Sequence, residues 1–493
     1  MKAIRWHKRL NETFVARRIK RVKGEIALAG DKSIAHRYII LSALCQGKTK
    51  IENFPFNKDC LSTLKAFQKL GVKILAQKKI GVLTVFGKGL YGLSKPKRPI
   101  FIGESGTTLR LLLGVLAGQG FSATLTAGEF LSRRPMLRVT APLRMMGAEI
   151  NGQRLPAGQA GATPACRPPA GRAGTGRGNG QTEEEYPPIT IQGGNLNPIT
   201  YRMPVASAQV KSAILLAGLY TRGMTSVIEP IPTRDHTERM LKLFKADIKL
   251  QQNKIVIKGK GKLISPGKVF VPGDISSAAF FMVLAAILPN SQVLINNVSL
   301  NPSRIGIIRV LKRMGVDIKV KKFRHNAWRT RQSFWRAQGH KVTKYEPMGN
   351  LIIKSSALRG ARVRREEVPS LIDELPILMV AASFAKGSTV FEGVSELRVK
   401  ETDRIRSMTE NLTKMGADIE VVKERKFENI IITGVKQLKG TKVRSFGDHR
   451  TAMSMVIAGL AAEGQTQIDD ISCINKSFPN FINILDTLME SHS

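Results

Sequence analysis

Residues 311–318 read LKRMGVDI. The same pattern stands at 67–74 (FQKLGVKI), 143–150 (LRMMGAEI) and 412–419 (LTKMGADI), with a degenerate copy, LKLFKADI, at 241–248. In each copy a run with helical spacing ends at a glycine and passes into an Ile/Val-rich stretch. Glycine there supplies the left-handed residue that ends a helix, and the branched residues beyond it favour a strand. Lys245 occupies the glycine position of the degenerate copy. Each copy therefore predicts one αβ element. The period is too long for a solenoid, so repetition predicts a symmetric α/β architecture.

The intervals between copies carry a second message. Gly71 to Gly147 is 76 residues and Lys245 to Gly315 is 70, whereas Gly147 to Lys245 is 98 and Gly315 to Gly416 is 101. Each long interval contains a stretch of odd composition. Residues 151–181 are rich in Gly, Pro, Ala and Arg and read as a flexible, low-complexity insertion. Residues 321–345 carry eight Lys/Arg, two of the three Trp and no acid. They read as a basic surface insertion, although Arg mixed with aromatics is also how single-stranded nucleic acids are bound.

The chain has 493 residues, 42% of them hydrophobic, which is enough for real cores and excludes wholesale disorder. Lys+Arg number 78 against 37 Asp+Glu, a formal charge of +41, so anionic partners are expected. The first 24 residues and the two odd stretches together hold 21 of those basic residues and one acid, Glu12. Much of the excess charge thus lies outside the repeated framework. Cys45, Cys60, Cys166 and Cys473 form no CxxC pair, which suggests neither a disulfide framework nor a zinc site and fits a reducing cytosol. The longest apolar run, Ala278 to Leu288, stops at Pro289, well short of the ~18–20 residues a membrane span needs. The basic N-terminus has no apolar core of a secretory signal; its Arg-rich, acid-poor composition is shared by organellar transit peptides and by simple basic extensions.

Polar clusters recur along the chain. GDKSIAHR (30–37) sets Lys32, Ser33, His36 and Arg37 just after a turn, a combination suited to a phosphate or carboxylate. GESGTTLR (103–110) presents backbone N–H groups at a helix start, and LSRRPMLR (131–138) sets Arg133 and Arg134 before a proline. SAQVKSA (207–213), TRDHTERM (233–240), LIDELPIL (371–378), RVKETDRI (398–405), GDHRTAM (447–453) and NKSFPNF (475–481) follow. Asp373 and Glu374 lie among apolar residues, where an unpaired carboxylate is costly, so a partner or a raised pKa is expected. One such cluster alone reads as a surface salt-bridge patch. Six or more, spread over both halves, do not.

Taken together, DKSIAHR, SGTTLR, RRPM, SAQ, DELP, KETDR, DHR and KSFPNF resemble the 5-enolpyruvylshikimate-3-phosphate synthase family of enolpyruvyl transferases. The resemblance runs from about Lys23 to Leu488, outside the extension and the two insertions. It implies an α/β fold of two domains, each of three repeated βαβαββ units in an inside-out α/β barrel, joined by a double crossover. Residues 1–30 with 272–493 would form one domain and 31–271 the other. The implied reaction moves the enolpyruvyl group of phosphoenolpyruvate to the 5-hydroxyl of shikimate 3-phosphate, releasing phosphate, in the path to chorismate and the aromatic amino acids. Carried over by position, Asp373 resembles the acceptor of the 5-hydroxyl proton, and Glu401, with Lys32 nearby, the proton donor to the methylene carbon. Lys32, Gly106, Arg134, Gln209, Arg404, Arg450 and Lys476 resemble the phosphoenolpyruvate site. Lys32, Ser33, Arg37, Ser207, Gln209, Asp373 and Lys400 resemble the shikimate 3-phosphate site. Arg234 looks like the substitute for a serine that part of the family uses to grip the 3-phosphate, and His449 would help shape the cleft. The resemblance implies no cofactor, no metal and no membrane, and a cytoplasmic monomer.

The chain departs from the family pattern in a few places. Glu104 stands where Asn is frequent, adding negative charge beside the phosphoenolpyruvate loop. Ala29 replaces the proline of a Pro-Gly turn, which would loosen that loop. Two other readings compete. The sister enzyme acting on UDP-N-acetylglucosamine shares the fold, but its lysine is followed by Asn, and it uses a Cys acid where residues 103–134 here hold none. A basic nucleic-acid-binding protein would need its charge in a continuous stripe, not at the motif positions, and nucleic acid is not expected as a partner.

Overall fold

The computed structural model describes residues 13–156, 183–322, 346–424 and 427–490. Most of both proposed insertions, and residues 1–12 of the basic extension, lie outside the described residues. Five helices stop as the repeat predicts: Lys58–Lys69, Leu137–Met145, His236–Leu243, Gly306–Arg313 and Arg404–Lys414. Gly71, Gly147, Gly315 and Gly416 follow four of them with φ between 84° and 103°. A strand then begins at Ile74, Glu149, Asp317 or Asp418. The degenerate copy keeps this geometry without glycine: Lys245 has φ 65°, and the strand Ile248–Gln251 follows.

The chain divides into two compact units. The first is Met1–Lys32, Asn53–Asn57 and Phe270–Ser493; the second is Ser33–Glu52 and Lys58–Val269. The second unit holds three four-stranded sheets of one design. In one of them the order is Ile100–Phe101, Ser122–Thr126, Glu183–Gln192 and Glu149–Pro156, paired parallel, antiparallel and antiparallel. A parallel pair needs a crossover, and a helix, Gly106–Leu116, provides it. The first unit repeats the design in the sheets led by Lys23–Ala27 and by Arg362–Val363. Its third sheet has three strands, and the chain's first strand, Phe14–Arg17, completes it by pairing antiparallel with Gln465–Ile468.

Two edge strands sit in sheets remote from the helices they precede. Lys23–Ala27 leads into the helix Lys32–Leu44, whose residues from Ser33 onward belong to the second unit, yet it pairs in parallel with Gln292–Ser299 of the first. Lys268–Phe270 leads into the helix Ile275–Ile287 of the first unit and lies beside Gln46–Glu52 in a sheet of the second. The two passages are tied where they meet. Asn53 donates to the carbonyls of Leu28 (3.3 Å) and Val271 (2.9 Å). A methyl on Gly30 would sit 2.2 Å from the Asn53 carbonyl oxygen, so only glycine fits there. Ala29 accepts from the Asp274 amide at 3.2 Å and Asp31 donates to Pro272 at 2.7 Å. The loop is therefore held on both sides without the proline whose loss was expected to loosen it.

One expectation fails here. Residues 151–156 are not part of a flexible insertion but extend the strand Glu149–Pro156 against Glu183–Gln192. The polar sequence hid the strand, and its partner is what makes it one. Buried Glu185 accepts from the Gly152 amide at 3.0 Å and is paired with Arg144.

Ile275–Ile287 is apolar on every side and correspondingly buried, at the centre of the first unit's core. Phe280 and Phe281 pack edge-on against Phe481 and Phe478, with centroids 5.8 and 6.0 Å apart. In the second unit the helices Gly106–Leu116 and Ala208–Gly218 approach so closely that a methyl on Gly114 would lie 2.2 Å from the Ala213 carbonyl oxygen. Among the described residues no helix is long and apolar enough to cross a membrane.

Because exposed Lys245 holds a backbone conformation that costs an L side chain free energy, Lys245→Gly should stabilise the protein by about 0.5–1 kcal/mol, after allowing for glycine's freer unfolded state. Urea denaturation measures this. An unchanged or lower midpoint would show that the lysine side chain compensates the strain.

Candidate active site

In the first unit the site begins at Arg404, the first residue of the helix Arg404–Lys414 and only 1% exposed. Its Nε donates to Asp448 at 2.8 Å, its Nη2 to Glu401 at 2.6 Å, and its Nη1 to Asp373 at 3.4 Å. Burial acts to pull the guanidinium pKa down, but the charges of Asp448, Glu401 and Asp373 outweigh it and raise it, so Arg404 is permanently cationic. Arg450 adds a second guanidinium, donating to the Asp373 carbonyl at 2.8 Å, with its Nη2 3.8 Å from the Asp373 carboxylate. The expected partner for the DELP acids is thus found. Asp373 meets two arginines. Glu374 is fully buried 3.6 Å from Arg304 and accepts from the Ser276 hydroxyl.

The remaining residues of this unit sit around that group. Asp448 caps the helix His449–Ala461, accepting from the amides of Arg450 and Thr451, so the DHR motif is a helix start. Lys476 donates to the Gly447 carbonyl at 3.3 Å, one residue before that cap. Lys400 reaches Glu396 at 3.3 Å. Half-buried Lys32 opens the helix Lys32–Leu44, close enough for its charge to act on His449.

The second unit presents its own set. Ser105 caps the helix Gly106–Leu116 by accepting from the Thr108 amide. A methyl built on Gly106 would lie 3.0 Å from Arg134 Nη1 and 3.3 Å from Arg110 Nη1, so both guanidiniums lie over the turn. Gln209 is held from two directions: its Oε1 accepts from Arg110 at 2.5 Å and its Nε2 donates to Thr107 at 3.0 Å. Ser207 caps the helix Ala208–Gly218. Arg37 donates from Nε to Thr237 (2.6 Å), from Nη1 to the Ser33 carbonyl (2.9 Å) and from Nη2 to Ser212 (2.9 Å). Arg234 is half-buried in the turn before the helix His236–Leu243. Glu104, expected to charge the phosphoenolpyruvate loop, directs its Oε2 to the Leu131 amide at 2.7 Å and so anchors the chain ahead of Arg134.

Sequence reasoning missed three supporting residues. The sequence places Asp448 directly before an apolar helix and Arg110 at the end of GTTLR, but gives neither its partner. Arg304 was not singled out at all. It is buried with Asp31, Asp274 and Glu374, at 3.9, 3.6 and 3.6 Å, and so braces the neighbours in sequence of both Lys32 and Asp373. The only available sequence signal was an arginine in an otherwise apolar and polar-neutral stretch, NPSRIGII.

Burial pushes the His449 pKa from 6.5 down to about 3, with Lys32 and Arg450 adding to the shift and Asp448 and Glu401 opposing it. Neither ring nitrogen has a hydrogen-bond partner among the described residues. The unfolded chain takes up this proton near pH 6.5 and the folded chain does not until about pH 3, so His449 costs stability as pH falls through that window. Asp274 acts in the opposite sense: burial, then Asp31, lifts it to about 6, so its protonation stabilises the fold below that pH. His449→Gln should therefore lose less stability than the parent between pH 7 and 5, by about 2 kcal/mol in urea denaturation. Parallel stability curves for parent and variant would refute the neutral, buried histidine.

Comparison with known proteins places the chain in a family. The sequence profile of EPSP synthase (3-phosphoshikimate 1-carboxyvinyltransferase) matches residues 16–159 and 179–485. The chain is 43% identical over 467 residues to the 3-phosphoshikimate 1-carboxyvinyltransferase of Desulforamulus reducens, covering 95% of this chain and 97% of that one. It is 42% identical over 472 residues to the enzyme of the same name from Bacillus cytotoxicus, covering 96% and 99%. Among solved structures, EPSP synthase from Acinetobacter baumannii superposes with a TM-score of 0.77 at 39% identity, covering 97% of this chain and 98% of that one. The enolpyruvyl transferase NikO from Streptomyces tendae, at 16% identity and a TM-score of 0.70 over 97% and 98% of the two chains, shares the fold. With the motif residues gathered as described and the match running through both units, the chain belongs to the EPSP synthase family.

Proposed function

We propose that this chain transfers the enolpyruvyl group of phosphoenolpyruvate to the 5-hydroxyl of shikimate 3-phosphate, with Asp373 taking the hydroxyl proton and Glu401, beside Lys32, protonating the methylene carbon. The observation that carries the assignment is the set of three carboxylates around Arg404, of which Asp373 and Glu401 keep 21% and 36% of their side-chain surface open. Asp448, fully buried, keeps none and serves to hold Arg404.

The chemistry follows from those positions. Addition needs a base at the 5-hydroxyl, and Asp373 offers a partly open carboxylate for it. It also needs a proton at the methylene carbon. One guanidinium shared by three carboxylates neutralises each only in part. Of the three, Glu401 is the most open to a bound substrate. The cations Lys32, Arg134, Arg404, Arg450 and Lys476, with Gln209 and the Gly106 turn, are assigned to phosphoenolpyruvate. Ser33, Arg37, Ser207, Arg234, Asp373 and Lys400 are assigned to shikimate 3-phosphate, with Lys32 and Gln209 serving both. Elimination then breaks the bond to phosphate: Glu401, now a carboxylate, takes a proton from the methyl group, the enol ether forms, and the proton held by Asp373 leaves with the phosphate.

The direct test is phosphate release from phosphoenolpyruvate, with and without shikimate 3-phosphate. Release that requires shikimate 3-phosphate is expected; no release, or release indifferent to it, defeats the proposal. Asp373→Asn and Glu401→Gln should each lower kcat by about 10²-fold or more while shikimate 3-phosphate still binds. Near-normal turnover in either variant would remove that residue from its role.

The Gly106 turn gives a second test. Glyphosate should compete with phosphoenolpyruvate, because the turn leaves room where the inhibitor's phosphonate must fit. In Gly106→Ala the new methyl presses on the tips of Arg134 and Arg110. The longer ligand should suffer more, so the inhibition constant for glyphosate should rise further than the KM for phosphoenolpyruvate. An equal rise in both would show that the turn is wrongly placed in the site.

A further inference from the structure

Lys211 plays no part in the chemistry above, yet it is fully buried on the helix Ala208–Gly218, four residues from the capping Ser207. Its Nζ lies 3.0 Å from Glu229 and 2.6 Å from Glu238, whose side chains are 5% and 2% exposed. Burial pulls the lysine pKa down, but the two glutamates more than restore it; burial lifts that of Glu238 against the lysine's charge. Removing three ionisable groups from water is costly, and the pairing alone gives no reason to keep them in place of apolar residues. What the cluster does supply is geometry, in two directions.

The first direction is toward Arg37. Ser212 follows Lys211, and Thr237 precedes Glu238. Their hydroxyls bond each other at 2.7 Å, and each accepts from the Arg37 guanidinium. The Lys211–Glu238 pair thus clamps two helices at the level where they grip that guanidinium. The second direction is toward Arg234. Glu229 accepts from the Thr233 amide at 3.1 Å and from the Thr233 hydroxyl, which closes the turn that ends one residue before Arg234.

We propose that Lys211, Glu229 and Glu238 form a buried positioning triad that sets Arg37 and Arg234 to receive the anionic groups of shikimate 3-phosphate. The inference rests on the substrate assignment made under Proposed function. It adds residues that act through others and touch no substrate themselves.

The experiment measures steady-state kinetics of the full chain with both substrates varied. Glu238→Gln keeps the shape and weakens the clamp. It should raise the KM for shikimate 3-phosphate about tenfold or more, with the KM for phosphoenolpyruvate and kcat within about threefold of the parent. Thr237→Val removes only the hydroxyl that joins Ser212 to Arg37, and carries the test if Glu238→Gln does not fold. It should produce the same one-sided rise. A merely structural role would lower the melting temperature without separating the two KM values. Unmoved or equally raised KM values in a folded variant overturn the triad alone. A parent protein that neither binds nor turns over shikimate 3-phosphate overturns both the triad and the substrate assignment.

Discussion

A helix that must stop and return at once as a strand needs one residue with positive φ at its end. This fold meets that requirement five times, at Gly71, Gly147, Lys245, Gly315 and Gly416. The constraint is local, set by the clash of Cβ with the backbone, and so it is written locally in the chain. Everything larger depends on it. Each turn delivers an outer strand to its sheet, each sheet is completed by a parallel strand across a helix, and the N-termini of helices of both kinds carry the motifs. Ser105, Ser207, Asp403 and Asp448 all cap helices of the repeat, and Gly106, Gln209, Arg404 and Arg450 lie within the first two residues after them.

The repeats and the motifs were legible for that reason: turn chemistry and capping are decided within a few residues. What was not legible concerns partners far apart in the sequence. Nothing in the composition of Lys23–Ala27 or Lys268–Phe270 states which sheet they join; that follows from tertiary pairing. Residues 151–156 read as a polar loop because their ladder partner begins at Glu183, beyond a stretch of unrelated composition. Glu104 read as a charge beside a ligand, whereas its partner is a backbone amide 27 residues on.

The buried charges follow one rule. Arg404, Arg304 and Lys211 are each shut away from water, and each is matched to more than one carboxylate. A cation placed among several acids cannot be removed without leaving unpaired carboxylates in a low-dielectric interior, so these groups hold their surroundings rigid. Sequence could signal only that an unpaired charge in these stretches would be costly. The identity of the partner, 31 to 273 positions away in the cases of Asp373, Asp448, Asp31 and Glu374, required the fold.

These hubs divide the labour between substrate contact and support. Arg404 is held by Asp448, which no substrate can reach, and shares its remaining donors with the two carboxylates that are partly open. Arg304 grips Asp31 and Glu374, each one residue from a group assigned to the reaction. Lys211 grips Glu238, one residue from the hydroxyl that orients Arg37. In all three cases the buried ion pair lies a single peptide unit, or a single side chain, behind a residue assigned to the ligand. A one-residue offset is the shortest lever the backbone offers: adjacent residues share a rigid peptide plane, so fixing one side chain in the interior leaves only two backbone dihedrals between it and the next. The cost of burying charge is thereby turned into preorganisation of groups that must themselves stay accessible, which is what catalysis by positioned cations and carboxylates requires.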